Sequence, residues 1–221
     1  MSRTWVLDLD NTLYPAGSGF FALINARIDA YMEERVGLPP AAIPGLRHAY
    51  KQRFGITLGG LIAEHRVDPE EYLTYVHDVP LDRHLAPDPV LASTLERLPG
   101  RKVIFTNGST AHAQAVLCHL GVNGGIEEVY DIAFMDYVPK PFVHGYRKLL
   151  LELDEEPSAC WMVDDLVANL DTGRELGMRT VLLGPEPQPP HLHVRVPSDL
   201  VGLAGCNGRG GGAGMESERK P

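Results

Sequence analysis

Apolar residues recur along the chain with two different periods. Short continuous runs at Trp5 to Leu9, Lys102 to Phe105, Ile132 to Met135, Cys160 to Val163 and Thr180 to Leu183 read as buried strands. Between the later runs the apolar positions fall at helical spacing. Asp88-Pro89 opens a helix that runs through Leu98 and stops at Gly100. Ala111 to Leu120 is closed by Gly121, Phe142 to Leu153 follows, and Asn169 to Leu176 is closed by Gly177. Strands alternating with helices predict an α/β fold, a Rossmann-like parallel sheet core with helices on both faces. Ligands of such sheets bind outside the carboxyl ends of the strands.

The stretch after the first strand has a different character. Phe20, Phe21, Ile24, Ile28, Tyr31 and Met32 recur at helical spacing up to Val36, with Gly37 as a C-terminal cap. Pro39-Pro40 opens a second helical stretch carrying Leu46, Ala49, Tyr50 and Phe54 on one face, and Asp68-Pro69-Glu70-Glu71 is a helix-start signature. Residues 16–82 therefore read as an all-helical insertion after the first strand, and residues 1–15 with 83–204 as the core. Beyond Gly184 the pattern decays through a Pro-rich turn to a short strand and helix at His193 to Leu203. The Gly-rich, then charged, stretch 205–221 cannot bury apolar area and is expected to be disordered.

Composition narrows the function classes. The chain has 221 residues, 44% hydrophobic and 22% charged, as in an ordinary globular protein. A formal net charge of −9 with scattered Lys and Arg argues against a nucleic-acid partner. No apolar stretch approaches a membrane span and the first residues lack a signal-peptide core, so a cytoplasmic location is expected. Cys118, Cys160 and Cys206 are widely spaced and form no Cys-x-x-Cys pair, which suggests reduced thiols. His191 and His193 could pair on a metal, but no third ligand stands in a matching position.

Candidate chemistry gathers at the strand ends. Asp8 and Asp10 are two apart, a spacing that turns both carboxylates the same way at the end of a strand. At about 4 Å and an effective dielectric of about 20 they would repel by on the order of 4 kcal/mol, so a cation or proton belongs between them. Thr106, Asn107, Gly108 and Ser109 place a hydroxyl, an amide and flexible backbone at a helix start, suited either to a phosphate or to capping alone. Lys140 stands between Pro139 and Pro141 in a stiffened loop. Val163 leads into Asp164 and Asp165, with Asn169 where the next helix begins. Carboxylates in this number suit Mg²⁺, which takes one or two acids with substrate phosphate oxygens. Together the clusters supply what phosphoryl transfer through an aspartate requires.

In order along the chain, Asp8-Leu-Asp10-Asn-Thr12-Leu, Thr106-Asn107, Lys140-Pro141 and Asp164-Asp165 with Asn169 resemble the sequence motifs of the haloacid dehalogenase-like hydrolases. The resemblance implies Asp8 as nucleophile and Asp10 as general acid/base. It implies that Thr106 and Lys140 assist, with Asn107 and Gly108 at the substrate. It implies Mg²⁺ held by the Asp8 side chain, the Asp10 backbone carbonyl and the Asp165 side chain, with Asp164 close behind. Residues 16–82 are similar to the family's small cap domain, and Tyr14-Pro15 would then be the hinge into it, coupling lid closure to the position of Asp10. Phrases such as Arg27-Ile-Asp-Ala-Tyr31-Met32, Leu46-Arg47, Gly55-Ile-Thr-Leu and Tyr75-Val-His77-Asp78 resemble the pyrimidine 5′-nucleotidase branch. The implied substrate is a small phosphorylated metabolite, a nucleotide of the UMP or CMP type. Leu166, where a small hydroxyl residue is common, and Thr172-Gly173 depart from the family pattern.

Other readings share part of this set. A phospho-accepting regulatory domain uses an acid pair, an Asp, a Thr and a Lys, but carries the adjacent acids first and the acceptor Asp mid-chain, the reverse of the order here. Dehalogenation has no use for the second acid, Asp10. A phosphatase of sugar phosphates or pyridoxal phosphate and a phosphosugar mutase remain alternatives to the nucleotidase.

Overall fold

The computed structural model describes residues 3–204, so the Gly-rich stretch from 205 and Cys206 lie outside the described residues. Its frame is a parallel sheet of β1 (Thr4–Leu7), β2 (Arg101–Phe105), β3 (Glu128–Tyr130), β4 (Cys160–Asp164), β5 (Arg179–Leu183) and β6 (Leu192–Val194). The spatial order is β3-β2-β1-β4-β5-β6. The first strand is thus central, with Thr4 opposite Arg101 on one side and Cys160 on the other. Successive connections leave β1 in opposite directions, which opens a crevice at its carboxyl end.

Alternation along the strands loads both faces. Trp5, Leu7, Ile104, Trp161 and Val163 join one apolar cluster with α5 (Pro89–Arg97), α6 (Thr110–His119) and α9 (Leu200–Ala204). Val6, Val103, Phe105, Cys160 and Met162 join the other with α7 (Val143–Leu153) and α8 (Val167–Glu175). Asp88 caps α5 through Val90 N–H and Leu91 N–H, as the Asp-Pro start predicts. Between β1 and β2 lie α1 (Phe20–Glu34), α2 (Ile43–Phe54), α3 (Thr57–His65) and α4 (Pro69–His77). Here α2 packs on α3 and α1 on α4. The α2–α3 approach is close enough that a Cβ on Gly60 would lie 2.1 Å from Tyr50 Cγ. No helix of the described residues is long and apolar enough to cross a membrane.

Three boundaries differ from expectation. The predicted strand Ile132 to Met135 is a series of turns, and β3 lies just before it at Glu128–Tyr130. Ile132 and Met135 are buried, but their spacing of three is that of a turn, closed by Met135 N–H to the Asp131 carbonyl and Tyr137 N–H to that of Ile132. The first strand ends at Leu7, so Asp8 extends the ladder only through its N–H to the Val163 carbonyl and Asp10 lies in a turn. Finally, α8 begins at Val167, two residues before Asn169.

Candidate active site

Four strand-end segments meet at the carboxyl edge of the sheet. Asp8 follows β1, and its carboxylate is gripped on both oxygens: Oδ1 accepts from Lys140 Nζ at 2.8 Å and Oδ2 from the Thr12 hydroxyl at 2.8 Å. Lys140 also donates to Asp164 Oδ2 at 2.9 Å, and its side chain is buried. Burial alone would strip its proton, but Asp164 and Asp8 more than compensate and hold it well above the ordinary lysine range. Asp164 is saturated, accepting also from Asn169 Nδ2 and Leu166 N–H at 2.9 Å. Asn169, at the start of α8, is therefore a positioning side chain.

One lysine does not balance this many acids. Oxygens of Asp8, Asp164 and Asp165 lie within 4.8 Å of one another. Burial, with the charge of Asp164, pushes Asp8 up to about 7 and Asp165 up to about 6. Such a set of crowded oxygens is suited to a hard divalent cation, which favours the ionised acids.

Asp10 lies in a separate network. Its Oδ1 accepts from the Tyr14 hydroxyl at 2.6 Å and pairs with His112 Nε2 at 2.8 Å, while no bond to Oδ2 occurs among the described residues. Burial would raise its pKa, but the hydrogen bonds from His112 and Tyr14 outweigh it and keep the carboxyl below the usual range. His77, at the end of α4, stacks on His112 with ring centroids 4.2 Å apart and pairs through Nδ1 with Ser109 Oγ at 3.1 Å. The helical run thereby touches the neighbour of Asp10. Composition and spacing did not single out His112 or His77. The available signal was a polar ring among Ala113, Val116 and Leu117 on the apolar face of α6.

The residues after β2 divide the work expected of them. Thr106 Oγ1 accepts from Gly108 N–H at 2.9 Å, which leaves its hydroxyl proton to point elsewhere. Ser109 caps α6 through His112 N–H. The Asn107 side chain is tied to the lysine loop: Oδ1 accepts from Lys140 N–H at 2.8 Å and Nδ2 donates to the Lys140 carbonyl at 3.1 Å. It fixes the lysine, a role the sequence did not suggest. A Cβ on Gly108 would come within 3.1 Å of His112 Cδ2 and 3.6 Å of Asp10 Oδ2. The small residue keeps that corner open.

These groups line one cavity of about 430 Å³. Asp8, Asp10, Thr106, Asn107, Gly108, Lys140 and Asp165 form its floor, and residues of α1 to α4 with the α2–α3 link form the facing wall. Asp164 is not in its surface; it lies behind Lys140. Elsewhere, His191 pairs through Nδ1 with the Thr180 hydroxyl, and His193 through Nε2 with the Gly184 carbonyl.

A family model described as haloacid dehalogenase-like hydrolase matches residues 3–177. The chain is 26% identical over 200 residues to phosphate metabolism protein 8 of Saccharomyces cerevisiae, covering 81% of this chain and 61% of that protein. It thus spans less than two thirds of that curated relative's length. Among solved structures it is similar to L-2-haloacid dehalogenase from Xanthobacter autotrophicus with chloropropionic acid covalently bound. There the TM-score is 0.59 at 16% identity, covering 92% of this chain and 98% of that one. It is also similar to YfnB of Bacillus subtilis, a structure bound to magnesium, with TM-score 0.58, 16% identity and coverage of 92% and 98%. At these identities the likeness shows the fold.

Proposed function

The chain belongs to the haloacid dehalogenase-like hydrolases, and from that premise we propose that it is a Mg²⁺-dependent phosphomonoesterase that works through an aspartyl-phosphate on Asp8. Its substrates on this reading are pyrimidine nucleoside 5′-monophosphates of the UMP and CMP type. The observation that carries the reading is the cavity floor, where a fixed carboxylate, a buried lysine, a hydroxyl and a second acid face one space.

Asp8 attacks phosphorus, and a P–O bond forms as the bond to the leaving alcohol breaks. Lys140 and the Thr106 hydroxyl offset charge on the phosphoryl oxygens. Asp10 gives a proton to the departing oxygen and then takes one from the water that attacks phosphorus, so phosphate leaves and Asp8 is restored. In the free protein Asp10 is anionic, and the negative charge of a bound ester is what raises its pKa enough to carry that proton. Mg²⁺, when bound, supplies positive charge to the transferred group. Asp8, Asp165 and the Asp10 backbone carbonyl would hold it, because Asp164 is already committed to Lys140, Asn169 and Leu166.

Residues 16–82, with helices α1 to α4, act as a cap over the cavity. Tyr14 joins the hinge at Pro15 to Asp10, and His77 joins α4 to His112, so cap position and the acid are linked from two sides. The yeast relative's name, phosphate metabolism protein 8, agrees with phosphoester chemistry. The dehalogenase neighbour with its covalently bound acid agrees with covalent chemistry on this fold.

Phosphate release from UMP, CMP, AMP, GMP, pyridoxal phosphate and sugar phosphates, with and without Mg²⁺, tests the proposal. UMP and CMP should be preferred and chelation should stop turnover. Asp8→Ala should cost at least about a thousandfold in kcat, and Asp10→Asn a loss on the order of a hundredfold or more. Turnover surviving Asp8→Ala would remove the covalent mechanism. A preference for purine or sugar esters would remove the nucleotidase assignment and leave the mechanism.

A further inference from the structure

Two residues of the cavity wall facing the phosphoryl centre, Thr57 and Arg47, each keep a buried donor without an acceptor. Thr57 begins α3 and is only 3% exposed, yet its Oγ1 is buried with no partner. The preceding Ile56 is extended and no side chain caps the helix, whose first turn holds no acid. Its leading N–H groups therefore lack the usual side-chain acceptor. Arg47 of α2 spends NH1 on the Asn25 carbonyl and Asp29, and NH2 on Asn25 Oδ1, but its Nε is buried and unpaired. A guanidinium keeps its proton in any protein, so Nε is a permanent donor. Lys51 stands in the same wall, its pKa lowered by burial and by Arg47. Arg47 is balanced by Asp29 at 2.7 Å, whereas Lys51 has no ion pair among the described residues. The carboxylates lining the cavity, Asp8, Asp10 and Asp165, all belong to the opposite floor.

Buried donors left unpaired are uncommon and mark a place where a partner is expected. We propose that Thr57 Oγ1, Arg47 Nε, Lys51 and the α3 N-terminus form a second binding site, which takes a hydrogen-bond-accepting oxygen at the end of the substrate remote from the transferred phosphate. This rests on the phosphatase reading and narrows its substrate class. A phosphate ester with a ring carbonyl edge, as in uracil, fits it, and so does one with a distal carboxylate or second phosphate. An ester ending in plain hydrocarbon would leave every one of these donors unmet. Thr57 is the sharpest probe, because Thr57→Val keeps the shape and removes only a hydroxyl that has no partner in the free protein. That substitution should leave the thermal midpoint of the free protein equal or higher.

The test compares wild type, Thr57→Val and Arg47→Lys, which keeps the charge but not Nε. Substrates are UMP, fructose 1,6-bisphosphate and phenyl phosphate. We expect kcat/KM to fall at least about tenfold, mainly through KM, for UMP or for the bisphosphate, and by no more than about twofold for phenyl phosphate. Loss on UMP identifies the carbonyl edge, and loss on the bisphosphate identifies a second anion. Equal loss on all three, no loss on any, or a lowered thermal midpoint in free Thr57→Val would overturn the proposal. If the wild type cleaves no ester at all, the phosphatase reading fails on its own. Calorimetric binding of UMP and the bisphosphate to the same proteins then still decides the site, through weaker binding to Thr57→Val or its absence.

Discussion

Asp8 cannot turn away from the cavity, because Lys140 holds one oxygen and Thr12 the other. The price is a set of acids pushed towards protonation, and a divalent cation that binds them reverses that shift. Mg²⁺ at about a hundred times its Kd should raise the thermal midpoint by roughly 5–10 °C, as scanning calorimetry would register, and Asp165→Asn should abolish most of that rise. His77 gives a pH signature of opposite origin. Burial, helped by His112, lowers its pKa from 6.5 to about 3. Between those values the unfolded chain binds a proton that the folded chain refuses. The share of stability linked to His77 is therefore complete above pH 6.5 and is lost as pH falls towards 3, by up to about 1.4 kcal/mol per unit. Asp8 and Asp165, raised to about 7 and about 6, contribute slopes of the opposite sign, so the His77 part is read as the difference between denaturant titrations of wild type and His77→Phe. At this scale the sequence revealed the acids, Thr106 and Lys140, because carboxylates and lysines at strand ends stand out against an apolar background. It did not reveal that Asn107 clamps Lys140 or that His112 faces Asp10, since both depend on which way a side chain points after the chain has folded.

Elements were most legible where start and stop residues reinforce the period. Asp68 and Asp88 each cap their helix through two backbone N–H groups, and both starts were readable. The stretch Ile132 to Met135 misled because buried apolar residues in a turn carry the same composition as a short strand. The turns matter to the site, since they lead the chain from Tyr130 to Lys140 under the cavity. Helix packing in the insertion between β1 and β2 gives a paired test with opposite signs. Gly60→Ala drives a methyl to within 2.1 Å of the Tyr50 ring and should cost on the order of 1–3 kcal/mol. Gly45→Ala in α2 meets nothing within 4 Å and should gain roughly 0.5–1 kcal/mol, as helix propensity alone directs. Equilibrium urea unfolding measures both.

At the scale of the molecule, the alternation of strands and helices was enough to predict a parallel sheet with both faces covered. The strand order was not readable, because parallel neighbours are chosen by packing across long connections and leave no local mark. That order has a consequence for how the chain is made. The central strand β1 is made before every other strand of the sheet, yet its partners begin at Arg101 and Cys160. It stays unpaired until β2 follows at Arg101 and lacks its second neighbour until Cys160, while α1 to α4 already have their contacts within one another. Assembly should therefore proceed from the helical insertion outward, with the strand that leads into Asp8 threaded into the sheet late. Pulsed hydrogen exchange during refolding should show amides of α2 and α3 protected before those of Val6 and Leu7. An emerging chain would thus carry Asp8 until the lysine that holds it arrives, 132 residues later.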